Sequence, residues 1–414
     1  MATTILVIFV LGYMAIALEH SIKLNKAASA LVTAVLCWTV YISHAPDTHT
    51  VNEQLGEHLG EIASILFFLL GAMTIVELID AHDGFEVITS CIKTAKKTKL
   101  LWLISLLAFL LSAVLDNLTT TIVMVSLIRK MVKDKETRLF FCGMVVIAAN
   151  AGGAWSPIGD VTTTMLWIAE KVSTVQLVRQ LILPSLACLV APLVLVSLRM
   201  KGKIEIVETE TKTNNRDRNI VFITGILVLL SVPVFKTISH LPPYMGMLLG
   251  LGIMWVITEI IHHEKDTQDK HFLSVQYALR KIDTPSILFF LGILLSVSAL
   301  GSIGALTNVA ESLNKHIGNP VMIVSIIGVA SSIVDNVPLV AAAMGMYQFP
   351  TDHFFWHFLA YCAGTGGSLL IIGSAAGVAA MGIEKIEFFW YLKRIGWLAL
   401  AGYVAGILIF LLFM

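Results

Sequence analysis

Three aspartates stand in surroundings that penalise charge. Asp116, Asp160 and Asp335 are the only charged residues in the apolar stretches 100–128, 139–168 and 319–349. At mid-bilayer an aspartate costs about 2.5–3.5 kcal/mol on insertion scales, so each needs a partner or a task. Their neighbours are oxygen donors. Asp116 opens Asp116-Asn117-Leu118-Thr119-Thr120-Thr121. Asp160 follows Asn150, Gly152, Gly153, Ser156, Pro157 and Gly159, with Thr162, Thr163 and Thr164 just beyond it. Carboxylate, amide and hydroxyl oxygens suit hard cations. Glycine lets a helix unwind and proline removes a backbone donor, so this run reads as a broken helix with freed carbonyls. Gly364-Thr365-Gly366-Gly367-Ser368 and Gly373-Ser374 repeat the break with hydroxyls and no carboxylate; small residues there also serve close helix packing. Thr119, Thr120, Ser156, Ser331, Thr365, Ser368 and Ser374 are therefore further ligand candidates. The plainer reading is a protonated carboxyl tied to backbone at a helix break, and it is strongest for Asp335. Three such carboxyls favour a cation site.

The elements that position these residues follow from composition. Of 414 residues, 57% are apolar and 14% charged, with mean hydropathy +0.84, whereas soluble chains have about a quarter of their residues charged. Soluble enzymes, nucleic-acid binders and disordered scaffolds are excluded; this is a polytopic, all-α membrane protein. Net charge is zero, so no global field favours a polyanionic partner. The cysteines at 37, 91, 142, 188 and 362 lack a C-x-x-C pair and read as packing residues. Nothing calls for a cofactor. Met1 to Leu18 lacks a basic leader region and is expected to remain as the first span.

Apolar runs predict spans near 3–18, 27–44, 60–80, 139–168, 181–199, 219–236, 244–262, 285–306, 353–382 and 386–413. With the N-terminus outside, one set of loops and their span ends holds 24 of the 28 Lys and Arg. Basic residues stay on the cytoplasmic side, so both termini are expected outside. Stretch 100–128 is flanked on both sides by basic clusters and 319–349 on neither side. Each is expected to enter and leave from one side as a re-entrant hairpin, turning at its Asp-Asn pair and buried in protein or lining a wet cavity.

The halves repeat weakly. Ser64 to Leu69 matches Ser286 to Leu291, Leu115 to Leu118 matches Val334 to Val337, and Gly152-Gly153…Asp160 matches Gly366-Gly367…Ser374, at offsets of 222, 219 and 214. Five spans and one hairpin per half, an odd number of crossings, force opposite orientation. The expected units are 1–205, with hairpin 100–128 and broken span 139–168, and 206–414, with hairpin 319–349 and broken span 353–382. This is the construction of secondary transporters, with the site at the repeat interface. The charged run near Glu205 reads as a solvated linker, and 81–98 and 307–318 as helices along the interface. Glu61, Glu77, His58 and His82 read as interfacial, and His262-His263 as a loop pair without a metal pattern.

On these motifs the chain resembles the NhaD-type sodium/proton antiporters of the ion transporter superfamily. The matching stretches are Ser64 to Phe85, Leu115 to Thr121, Asn150 to Thr164, Ser331 to Ala341 and Gly364 to Ser374. The resemblance implies inverted repeats with re-entrant hairpins, a homodimer, and exchange of Na+ or Li+ for H+. It implies functional roles for Asp116, Asn117, Asn150, Asp160, Thr162, Thr163 and Asn336, with Ser331 and Ser368 less securely placed and Asp335 beside Asn336. Na+ is expected at Asp116, Asn117, Asn150 and Asp160, in a bacterial cytoplasmic (inner) membrane. A sodium-coupled organic-anion or arsenite carrier of the same superfamily is the nearest rival, but Asp160 would repel an anion and no Lys or Arg lies in these stretches. An intramembrane aspartyl protease is disfavoured because Pro157-Ile158-Gly159-Asp160 lacks the first glycine of a G-x-G-D motif, and no H-E-x-x-H or G-x-S-x-G occurs.

Overall fold

The computed structural model describes residues 1–89, 94–200, 202–203, 215–263 and 272–413. Among them the chain is helical, and its only β-pairing is an isolated bridge between Lys96 and Lys203. The principal helices are α1 (Ala2–Ala17), α2 (Lys26–His44), α3 (Thr48–Ala81), α4 (Lys97–Leu115), α5 (Asn117–Met131), α6 (Lys135–Ala154), α7 (Val161–Ile168), α8 (Thr174–Ser197) and α9 (Asn215–Ser239). They continue as α10 (Pro243–Ile261), α11 (Thr284–Ser302), α12 (Ala305–His316), α13 (Pro320–Ala330), α14 (Asn336–Met346), α15 (Phe354–Gly366), α16 (Ala375–Glu384) and α17 (Phe388–Phe413). Nine helices among the described residues are long and apolar enough to cross a membrane, which makes the chain an integral membrane protein.

Local chemistry sets the boundaries. Asn25, Asp47, Asp134 and Asn319 cap α2, α3, α6 and α13 by accepting a backbone N–H of the first turn. The cap at Asp47 starts α3 well before residue 60, so the third span is a 34-residue helix. The two Gly-rich stretches break as expected: 139–168 resolves into α6 and α7, and 353–382 into α15 and α16. Stretch 100–128 divides at Asp116, and 319–349 divides over 331–335. Of the two expected interfacial segments, 307–318 lies largely on α12, which buries Ala305, Leu306 and Ala310, while 81–98 contributes the single turn Glu86–Thr89. Residues 90–93, with Cys91, and most of the charged linker lie outside the described residues; the other four cysteines are buried thiols.

The helices pack into two bundles, and each takes members from both halves of the sequence. In the first, α2 packs on α1 and α11, α10 on α9 and α3, and α3 on α11. In the second, α4 packs on α6, α13 on α15, α5 on α6 and α16, α6 on α15, and α8 on α17. The bundles meet mainly where α14 lies on α11 and α12. Gly152 and Gly366 explain the tightness of the second bundle. A methyl on Gly152 would fall 2.2 Å from the Phe109 carbonyl oxygen of α4, and one on Gly366 2.0 Å from that of Gly328 on α13. Only glycine allows those backbones so close.

Candidate functional site

Four half-helices start on predicted polar residues. Asp116 caps α5, accepting Thr119 N at 2.7 Å and Thr119 Oγ1 at 3.0 Å. Asp160 caps α7 through Thr162 N at 3.2 Å. Asp335 caps α14 through Val337 N at 3.3 Å, and Ser374 caps α16 through Gly377 N at 3.1 Å. Unpaired N–H groups and the macrodipole make each helix start electropositive, which accounts for carboxylates there. Capping alone does not account for Asp116, which sits at φ +85° and ψ 162°. A non-glycine residue in that region costs about 1–3 kcal/mol, and such strain gathers at functional sites.

Asn150, completely buried at the end of α6, joins the breaks. Its Nδ2 donates to Ser368 Oγ at 2.8 Å and Ser374 Oγ at 2.9 Å, and its Oδ1 accepts Asn117 Nδ2 at 3.0 Å. Asn336 donates to Asp160 Oδ2 at 3.4 Å. The structure thus brings Asn117, Asn150, Ser368 and Ser374 into one network and Asp160 with Asn336 into another contact. Asp116 and Asp160 share no direct hydrogen bond, although each lies within electrostatic reach of the other. Asp160 is 2% exposed, and no described Lys or Arg pairs with it or with Asp116.

The hydroxyls divide into two groups. Thr163 donates to the Asp160 carbonyl at 2.9 Å, Thr164 to that of Pro157 at 2.9 Å, and Thr365 to that of Tyr361 at 2.6 Å. Ser156 donates to the Ala113 carbonyl. Ser331 donates to the Gly328 and Ala363 carbonyls at 2.7 and 3.1 Å, as Ser112 does to that of Ala149 at 2.6 Å. These side chains tie broken backbone together. The buried hydroxyls of Thr120 and Thr121 have no hydrogen-bond partner among the described residues, and that of Thr162 stands beside the Asp160 carboxylate. Carboxylate, amide and free hydroxyl oxygens together form a donor set for a hard cation. No three His, Cys, Asp or Glu gather among the described residues as a transition-metal site would require.

A cavity of about 520 Å³ runs between the bundles to this region. Thr119, Asp335 and Ala375 are among its lining residues, as are Glu77, Asp80 and Lys281. A void of about 20 Å³, enough for one water, lies against Asp116 on the α3 side. Away from the cavity the half-helix loops are pinned together: Asp352 N donates to the Lys171 carbonyl at 2.9 Å, Ser173 N to Asp352 Oδ1 at 2.7 Å, and Thr351 Oγ1 to the Glu170 carbonyl at 2.7 Å.

Two expectations are corrected. Asp335 does have a counter-ion, Lys26 at the start of α2, whose Nζ lies 3.2 Å from Asp335 Oδ2. Lys26 stands far away in sequence, among residues that read as an ordinary basic loop, so no local signal pointed to it. His82 is fully buried rather than interfacial, with its Nε2 2.7 Å from His262 Nε2 and the rings stacked. Glu61 remains at the surface beside His58, at 3.7 Å, and half-buried Glu77 lies 3.9 Å from Lys281.

Comparison with known proteins fits this donor set. A family model described as citrate transporter matches residues 6–357. The chain is 51% identical to sodium/proton antiporter 1 of Arabidopsis thaliana over 98% of its own length and 71% of the relative's. It is 49% identical to sodium/proton antiporter 2 of the same plant, over 98% of each chain. It is 32% identical to the Na+/H+ antiporter NhaD of Vibrio cholerae, over 98% of its own length and 91% of that protein's. The chain belongs to the citrate-transporter family CitMHS and, within it, to the NhaD-type antiporters.

Proposed function

We propose that the protein exchanges Na+, and Li+ by the same chemistry, for H+ by alternating access, with cation and proton competing for the Asp116–Asp160 region. One observation carries this reading: Asp160 is a buried carboxylate with no basic partner among the described residues, at a helix break that also holds the buried Thr162 hydroxyl. The sodium/proton antiporters among its relatives support it. Asn117, Asn150 and Asn336 supply amide oxygens or hold the carboxylates in place. Thr163, Ser368 and Ser374 fix the breaks around them.

The two halves are read as inverted repeats, 1–205 and 206–414, with re-entrant hairpins turning at Asp116 and Asp335. The recurring order of helix, helix pair and broken helix, and the matching close approaches at Gly152 and Gly366, support that reading. With basic loops facing the cytoplasm of a bacterial cell, both termini lie outside and the cavity opens inward. An outward-open counterpart completes the cycle, and a homodimer is the expected assembly. Cysteine labelling at Lys133 and Thr351, both exposed, tests the orientation; finding them on one side of the membrane defeats it.

The decisive functional measurement is a pH-gradient assay in everted vesicles, with Na+, Li+, K+, citrate, and Na+ together with citrate added in turn. Dissipation of the gradient by Na+ and Li+ alone is expected. A requirement for Na+ together with an organic anion would instead establish the anion-carrier reading.

A further inference from the structure

We propose that Lys26 sets the affinity of the exchange site, acting as a tethered cation that neutralises Asp335 and keeps its charge from adding to that of Asp160. The inference rests on the Na+/H+ exchange reading and concerns a residue that neither motif nor resemblance singles out.

The argument begins with asymmetry. Asp116 and Asp335 occupy corresponding places, each the cap of a helix that begins inside an apolar stretch. Asp116 spends its carboxylate oxygens on Thr119. Asp335 uses one oxygen on Val337 N and the other on the Lys26 ammonium at 3.2 Å. Lys26 comes from the first bundle and Asp335 from the second, so the pair crosses the cavity that reaches the site. Its backbone is held as well as its charge. Lys26 N donates to Glu19 Oε1 at 3.1 Å, and Nζ lies 4.4 Å from the centre of the Phe289 ring, a cation–π contact that holds the head in place. Both partners are only partly exposed, at 27% and 19%, so solvent screens the pair incompletely.

The next residue, Asn336, donates to Asp160 Oδ2, and the Asp335 charge acts electrostatically on Asp160. With Lys26 present, the pair presents little net charge to the site. Without it, a bare carboxylate stands beside Asp160 and strengthens the pull on any cation. Without Asp335, a bare ammonium stands there and weakens it. The two deletions therefore shift cation affinity in opposite directions. A pair that merely clamped the bundles would lose function the same way whichever partner was removed.

The test uses full-length purified protein in proteoliposomes, with Na+-dependent H+ flux read at alkaline pH where proton competition is least. Lys26→Gln is expected to lower the KM for Na+ by about threefold or more, and Asp335→Asn to raise it by about threefold or more, since a unit charge at effective dielectric near 20 is worth at least that much within about 20 Å. Lys26→Gln/Asp335→Asn should lie between the singles, and Lys26→Arg nearer the wild type than Lys26→Gln. A KM raised by both single changes, or a loss confined to kcat that the double change does not relieve, overturns the proposal. Na+-dependent thermal shift of the same proteins reads affinity without transport. Wild-type protein that binds Na+ but exchanges none defeats the exchange reading and leaves the order of affinities to judge Lys26. Wild-type protein that binds no Na+ defeats both.

Discussion

Asn150 donates a side-chain amide hydrogen to Ser374 Oγ at 2.9 Å, joining the last turn of α6 to the cap of α16 across the two halves of the sequence. The same amide nitrogen holds Ser368, and the amide oxygen accepts from Asn117. Substitution should be severe because each partner is buried. Asn150→Asp keeps the volume but loses both donated bonds. An unmet buried polar group costs about 1–3 kcal/mol, so the variant should melt at lower temperature in detergent and lose exchange. Unchanged melting would mean that the three side chains re-pair without Asn150.

Asp116 offers a separation of stability from function. Its backbone lies in a region that favours glycine, at a cost of about 1–3 kcal/mol, while replacing a capping Asp by Gly costs only a few tenths. Asp116→Gly should therefore fold as well as wild type or melt at higher temperature, and yet fail to exchange Na+. A lower melting temperature would show that the cap outweighs the strain.

Arg138 Nε meets Glu384 Oε2 at 2.7 Å, with the Glu384 side chain 3% exposed, and so ties the start of α6 to the end of α16, while Arg129 of α5 lies 3.8 Å from the other carboxylate oxygen. Removing one member of a buried pair strands the other; for full burial that costs about 3–5 kcal/mol. Arg138 also donates to the Val132 and Lys133 carbonyls and is partly exposed, so Glu384→Ala should cost less, about 2 kcal/mol by the same reasoning. Adding Arg138→Ala should recover part of that loss, as a double-mutant cycle of melting temperatures would register. Additive losses would mean that the pair contributes little.

Most of this fold is legible in the sequence because bilayer physics leaves few options. Closely spaced glycines inside an apolar run weaken a helix, with a proline and a carboxylate added in the first half and hydroxyls in the second, and both breaks lie where those residues stand. The start of α3 was illegible because Asp47, a cap before polar residues, gives no hydropathy signal. At the site, Asp116, Asn117, Asn150 and Asp160 announced themselves by being polar where polarity is costly. Lys26 and His262 did not, since a lysine or a histidine beside a loop looks the same whether it faces water or another helix. Only tertiary packing places Lys26 against Asp335 and His262 against His82.

Asp160→Asn isolates charge from shape. The amide keeps the volume and one hydrogen-bonding oxygen for Thr162 N, but carries neither charge nor titratable proton. The variant should insert and melt like wild type and show no Na+-dependent proton flux in everted vesicles. Exchange at the normal rate would reduce the break at Asp160 to a structural device.

Competition gives the sharpest expectation. If Na+ and H+ use the same carboxylates, protonation removes the charge that holds Na+, and Na+ binding stabilises the ionised form. The empty, fully ionised site rarely crosses, because its charges would have to move through low dielectric without a partner. Exchange follows from that restriction alone, and an inward proton gradient then drives Na+ out. The sign of the pH dependence is fixed: as pH falls, more sites hold a proton and apparent Na+ affinity weakens. In the limit of one proton per site the apparent Kd rises about tenfold per pH unit, since each tenfold gain in proton activity must be met by Na+. Above the pH at which the carboxylates are fully ionised, the dependence should level off. Sodium titrations of purified protein across several pH values, followed by thermal shift or calorimetry, measure this slope directly. An affinity that stays flat from acid to alkaline pH would place cation and proton on separate groups, and the shared-site mechanism would be wrong.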